Sequence, residues 1–166
     1  MRFQNKVAIV TAAANGIGKA TAKILAREGA QLVAVDINPD ALEKLTKEIE
    51  NEGGHINPFE TNVLEEDQVQ ELVDSVVGRF NKIDILVNAV GGSSIIQNSR
   101  ASVDNLSLSD WDKIVQFNLK GTFLCTSAVI SQMKKQGNGK IVNLSSDAAH
   151  GGNLMGDPSS AYVAAK

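Results

Sequence analysis

Tyr162 and Lys166 stand four positions apart at the end of a 166-residue sequence. On a helix that spacing puts a phenol and an ammonium on one face, one turn apart. A free tyrosine has a pKa of about 10, too high for a base at neutral pH. One lysine charge about 4 Å away, at an effective dielectric near 20, is worth about 4 kcal/mol. At about 1.4 kcal/mol per unit, that upper figure brings a phenol near physiological pH, and desolvation of both groups reduces it. The pair is suited to moving a proton on or off an alcohol or ketone oxygen. Tyr-x-x-x-Lys also arises by chance on many helices, so its meaning depends on what stands upstream.

A second chemical signal lies near the start. Thr11-Ala12-Ala13-Ala14-Asn15-Gly16-Ile17-Gly18 follows an apolar β-branched run and opens a helical pattern. Glycines at a strand-to-helix junction let the backbone pass close to a pyrophosphate, and the helix N-terminus offers N–H donors and partial positive charge. Asp36 closes the next apolar run, roughly 20 residues beyond the glycines, where a carboxylate would bond the adenosine ribose hydroxyls. It would repel a 2′-phosphate, and neither Asn15 nor Ile37 supplies a basic side chain to attract one. The cofactor expected is therefore NAD. The plainer readings are a steric glycine turn and a strand-end aspartate.

These groups need a scaffold. Short apolar runs occur at Lys6–Thr11, Gln31–Asp36, Ile83–Asn88 and Lys140–Ser145, with a weaker one at His55–Glu60 whose Pro58 suits an end or a bend. They are nearly all apolar rather than alternating, as parallel strands covered on both faces should be. Helical stripes separate them. Ile17, Ala20, Thr21, Ile24 and Leu25 precede a stop at Gly29, and Leu42, Leu45 and Ile49 lie between Pro39 and Gly53-Gly54. Val69, Leu72, Val73, Val76, Val77 and Phe80 form the cleanest stripe. A longer helix is expected over Ser109–Lys135, capped by Ser109-Asp110 and carrying Trp111 and Cys125 as packing residues. The Gly/Ser-rich stretch from Gly91 to Ser107 reads as a loop. Alternating strands and helices with short connections give the α/β class, a doubly wound parallel sheet with right-handed crossovers.

The chain resembles the short-chain dehydrogenase/reductase family, and within it is similar to 3-oxoacyl-ACP reductase-like members. The resemblance runs the whole length and implies one NAD-binding Rossmann domain over residues 1–166. Thr11 through Gly18 is similar to the family's T-G-x-x-x-G-x-G, with Ala12 replacing the first glycine. Asn88-Ala89-Val90-Gly91 is a looser match to N-N-A-G, and Asn62-Val63 stands for the family's Asp-Val beside the adenine. The Asn62 carbonyl would still accept from the adenine amine. Asn118 matches the catalytic Asn, Ser146 the catalytic Ser, and Tyr162-Val163-Ala164-Ala165-Lys166 the Y-x-x-x-K. The cofactor residues so implied are Thr11, Asn15, Gly16, Ile17, Gly18, Asp36, Ile37, Asn62, Val63, Asn88, Ala89, Gly91, Tyr162 and Lys166.

The resemblance also implies a mechanism. Tyr162 exchanges the proton of a secondary alcohol or ketone, and Ser146 hydrogen-bonds the same oxygen. Lys166 lowers the tyrosine pKa and holds the nicotinamide ribose, while Asn118 positions a relay water. Ser145 is the rival for Ser146. The Ser146–Tyr162 interval exceeds the family's usual spacing, which reads as extra loop through Gly151–Gly156 beside the substrate pocket. His150, next to it, reads as a solvent-facing loop residue before a substrate contact. A homotetramer is implied, with the Ser109–Lys135 helix at an interface.

Composition excludes other classes. With 43% hydrophobic and 21% charged residues the chain can fill a core. A net charge of −3 gives no reason to expect nucleic acid or an anionic membrane as partner. One cysteine and two histidines argue against a disulfide scaffold and a soft-ligand metal site. No apolar run suits a signal peptide or a membrane span, so the expected address is the cytoplasm. Ending on Lys166 predicts a frayed last turn and an exposed fifth strand, and hence a fragment of a longer enzyme without the sheet's C-terminal strands. The alternative function is a nucleotide-binding module without turnover. Intact Asn118, Ser146, Tyr162 and Lys166 favour the enzyme.

Overall fold

The computed structural model describes residues 1–151 and 159–166. Five strands, β1 (Val7–Thr11), β2 (Gln31–Asp36), β3 (His55–Glu60), β4 (Ile85–Asn88) and β5 (Lys140–Asn143), pair in parallel in the order β3-β2-β1-β4-β5. Strands β2 and β3 have the bounds read from the sequence. Pro58 is tolerated because β3 is an outer strand, where a missing N–H breaks no second ladder.

Side-chain alternation divides the core into two layers. Val7, Ile9, Val33, Val35 and Leu86 face α3 (Glu66–Phe80) and α5 (Gly121–Lys135). Ala8, Val10, Leu32, Ala34 and Val87 face α1 (Gly16–Arg27) and α2 (Pro39–Asn51). The three inner strands β1, β2 and β4 are covered on both faces, which is why they are almost uniformly apolar. Cys125 packs in the first layer, and burial pushes its thiol up to about 12, leaving a neutral packing group.

At the other end of the sheet, Asp84 accepts the Val7 N–H at 2.9 Å and pairs with Lys6 at 3.0 Å and Lys82 at 3.1 Å. Burial opposes its ionisation most strongly. The Val7 amide and the two ammonium groups together outweigh that and hold the carboxyl below its ordinary range.

Three expectations need correction. The helix expected over Ser109–Lys135 is α4 (Leu108–Val115), a π segment (Gln116–Lys120) and α5. A single widened turn shifts the helical pattern by one residue without interrupting it, so the two helices read as one. Its cap is Ser107, whose Oγ accepts the Asp110 N–H at 3.1 Å, rather than Ser109-Asp110. The last turn is helical rather than frayed, as α7 (Ser160–Ala164), with Ala165 N bonded to Ala161 O at 3.0 Å. Ala161 and Ala165 are buried against Ile96 and Ile114, so packing supplies what local nucleation cannot. The stretch before α4 is a loop apart from a short 3₁₀ turn, Val103–Asn105. A further turn of helix, α6 (Ala148–Gly151), follows β5. β5 is the other outer strand, with Val142 51% exposed. Among the described residues, no helix is long and apolar enough to cross a membrane.

Candidate active site

Strand order reverses between β1 and β4, and the crevice at their C-terminal ends is where ligands settle in such sheets. Two adjoining clefts occupy it, with Ala12 lining both.

The turn from β1 into α1 forms the shared wall. Ala12 has φ 49°, a left-handed conformation that costs an alanine roughly 1–2 kcal/mol. Ala13 N donates to Val35 O and Ala14 N to Asp36 Oδ2, each at 3.0 Å, fastening the turn to the end of β2. Asn15 caps α1, its Oδ1 accepting from Gly16 N and its main-chain carbonyl from Lys19 N. Ile17 and Gly18 line the cleft and supply the remaining first-turn N–H groups, with no acidic side chain in that turn. A Cβ on Gly18 would fall 2.1 Å from Ala12 O, so only glycine lets the helix start this close to the strand end. Free donors, no acid and a backbone cradle a methyl would fill make this turn fit a diphosphate.

The first cleft, about 340 Å³, brings together Asp36, Ile37, Asn62 and Val63 as the sequence anticipated, and adds Val90 and Phe117. Asn62 Oδ1 accepts the Leu64 N–H at 3.1 Å, leaving one of its two lone pairs. No motif marks Phe117; its one sequence signal is an aromatic side chain next to the matched Asn118.

The second cleft, about 330 Å³, joins Asn15, Gly16, Ile17, Gly18, Ala89 and Gly91 to Tyr162 and Lys166. Lys166 Nζ donates to Leu144 O at 2.9 Å and lies 5.8 Å from the Tyr162 ring centroid. Burial holds the Lys166 pKa below its ordinary value. Gly91 fits between two groups: a Cβ there would lie 2.7 Å from Asn118 Oδ1 and 2.8 Å from Lys166 Nζ. Asn118, in the π segment, is buried and spends its side chain on the loop after β4. Its Oδ1 accepts from Gly92 N, and its Nδ2 donates to Gly92 O and Ile114 O, all at 2.9 Å. Its main-chain carbonyl takes a 3.4 Å bond from Thr122 Oγ1.

Other anticipated residues act from behind the clefts. Thr11 is buried, with its Oγ1 accepting the Ala89 N–H at 2.9 Å. Asn88 is buried too and donates to Thr126 and Asn143. Of the two serines, Ser145 lines the cleft and donates to the Lys166 carbonyl at 2.8 Å. Ser146 Oγ lies 3.2 Å from Asp147 Oδ1 and accepts the Ala148 N–H. Of the extra loop expected through Gly151–Gly156, Gly151 ends α6 and the rest lies outside the described residues, as does the His150 side chain.

A family model for short chain dehydrogenases matches residues 6–166. The chain belongs to the short-chain dehydrogenase family. It is 42% identical over 153 residues to a 3-oxoacyl-acyl-carrier-protein reductase of Thermotoga maritima, covering 92% of this chain and 60% of that protein. Against a D-threitol dehydrogenase of Mycolicibacterium smegmatis it is 40% identical over 165 residues, covering 99% and 60%. Among solved structures, an NAD⁺-bound xylitol dehydrogenase superposes with a TM-score of 0.91 at 35% identity, covering all of this chain and 61% of that one. This short-chain dehydrogenase chain thus spans about 60% of the length of the relatives it matches.

Proposed function

We propose that the protein transfers a hydride between NAD(H) and a secondary alcohol or ketone, with this chain supplying the cofactor site and the proton-transfer groups. The observation that carries the reading is the single cleft shared by the glycine turn, Tyr162 and Lys166. A family member that only bound nucleotide would have no need of Asn118, Ser146, Tyr162 and Lys166 all together. Bound in the two clefts, NAD supplies the hydride chemistry.

The chain's own residues do the rest. Ile17 and Gly18 amides would hold the diphosphate, and Asp36 the adenosine ribose hydroxyls, which favours NAD over NADP. Xylitol dehydrogenase, similar over this whole chain, is NAD⁺-bound. Tyr162 removes or returns the substrate hydroxyl proton. Lys166, anchored by Leu144 O, presents its ammonium to the phenol and to the nicotinamide ribose. Asn118 serves the proton relay through its main-chain carbonyl, because its amide is engaged by Gly92 and Ile114. Ser146 is the family's match for the residue that steadies the substrate oxygen, and Ser145 is favoured by its place in the cleft. Assembly as a homo-oligomer, a tetramer by resemblance, belongs to the same proposal. Leu119 in the π segment and Phe123 in α5, 47% and 67% exposed, support a helix-face contact. The cytoplasm remains the proposed address.

Tyr162→Phe in the full-length protein is the test. Turnover of a panel of secondary alcohols should fall about a thousandfold or more while NADH binding stays within threefold. Unchanged turnover removes Tyr162 from the chemistry. Ser146→Ala and Ser145→Ala, assayed alongside, assign the serine role to whichever variant loses turnover.

A further inference from the structure

Asp36 makes more contacts than ribose recognition requires. Oδ2 accepts the Ala14 N–H at 3.0 Å and Oδ1 the Asn38 N–H at 3.1 Å. Its main-chain carbonyl accepts from Thr61 N at 3.0 Å, and the carbonyl before it, on Val35, accepts from Ala13 N at 3.0 Å. The last two residues of β2 thereby gather the β1–α1 turn, the start of α2 and the end of β3.

The turn gathered this way is strained. Ala12 sits at φ 49°, where glycine is the residue without a penalty and where the family's pattern has one. Left to itself an alanine relaxes towards negative φ, carrying the following amides with it. A strained residue persists only where its surroundings over-determine it. Here the surroundings are the next two amides, Ala13 and Ala14, both tied to β2. One of the two ties is a side chain, and it is the carboxylate assigned to the ribose.

We propose that the Asp36 carboxylate is a positioning residue that holds the strained Ala12 turn in its phosphate-binding shape, coupling the ribose end of the dinucleotide site to its diphosphate end. This rests on the dinucleotide reading above and adds a duty that hydroxyl recognition does not contain. Replacing Asp36 then weakens diphosphate binding as well as ribose selectivity. Ala12→Gly, which removes the strain, is the compensating change.

Two measurements on the full-length protein separate the duties. The first is hydrogen exchange of the Ala13–Gly16 amides without ligand. The second is the affinity for an NADH analogue whose adenosine ribose lacks both hydroxyls, so that ribose recognition is silent. Asp36→Ala should speed exchange at Ala14 about tenfold or more and weaken the analogue about tenfold. Asp36→Asn, which keeps one acceptor for Ala14 N but sets its NH2 against the Asn38 N–H, should fall between wild type and Asp36→Ala in both readouts. Ala12→Gly added to Asp36→Ala should restore most of the analogue's affinity. Asp36→Ser, too short to reach Ala14 N, gives the same readout if Asp36→Ala fails to fold. Unchanged exchange and unchanged analogue affinity in Asp36→Ala overturn the proposal. If wild type binds neither NADH nor the analogue, the dinucleotide reading falls, and exchange at Ala14 still decides whether the carboxylate holds the turn.

Discussion

Gly18→Ala puts the smallest possible side chain where the structure has no room for one. The added Cβ would meet Ala12 O at 2.1 Å, Ala12 C at 2.8 Å and Thr11 O at 3.0 Å, and all three are backbone atoms. No rotamer change relieves the contact. Ordinary contact begins near 3.4 Å, so the start of α1 must retreat from the end of β1 by over 1 Å. Overpacking of this kind costs about 1–3 kcal/mol of stability. A charge-assisted bond from Ile17 N or Gly18 N to a phosphate oxygen, about 2.9 Å long before the shift, is lost beyond about 3.5 Å. Each such bond is worth about 1.5–3 kcal/mol, and the shift loses at least one. NADH affinity should therefore fall by at least about 10- to 150-fold. Fluorescence titration with NADH, beside thermal unfolding of the same full-length variant, reads both quantities. A folded variant that binds NADH within threefold of wild type would refute the argument that this glycine sets the distance between the helix and the phosphate.

The same substitution elsewhere should do the opposite. Gly78→Ala, within α3 and with no atom within 4 Å of the added carbon, should stabilise by about 0.5–1 kcal/mol in thermal unfolding and leave NADH binding alone. Asp84→Ala should destabilise by about 1–3 kcal/mol in urea unfolding, because the buried Val7 N–H loses its acceptor while Lys6 and Lys82 return to water at little cost. The Asp84 pKa is depressed by folding. Its contribution is thus present above the unfolded value of about 3.9 and lost as pH falls through the folded one. The stability difference between wild type and variant should begin to shrink below about pH 4 and go on shrinking as pH falls through the folded value.

The fold was legible because its signals are local and redundant. β2 is an apolar run and β3 a weaker one, each following a glycine-bearing turn, and α2 is bracketed by Pro39 and Gly53-Gly54. The glycine turn and Asp36 were legible for the same reason, being tied to the ends of recognisable elements. Features that depend on tertiary contact were not. The helical state of the last turn comes from Ile96 and Ile114, far away in sequence. Which serine enters the cleft is settled after β5 ends at Asn143, where the two-residue alternation of a strand no longer dictates direction. The tie from Ala14 to Asp36 spans 22 residues and leaves no trace in either motif.

The π segment at Gln116–Lys120 separates two kinds of sequence change. Such a turn is an α-helix holding one residue more than its ladder needs, with the helix on either side keeping its direction. No substitution among these five residues returns the ladder to uniformity, whereas loss of a single residue does. Helices that are packed along their length seldom survive a change in length, because everything beyond the change rotates by about 100°. Here α4 would keep Ile114 against Ala161, and α5 would keep Leu124, Cys125 and Val129 against the sheet. Only the aim of Asn118 would be lost. The surplus residue is thus separable from the scaffold: a single-residue deletion within Gln116–Lys120 would remove the widened turn and leave the packing on either side in place.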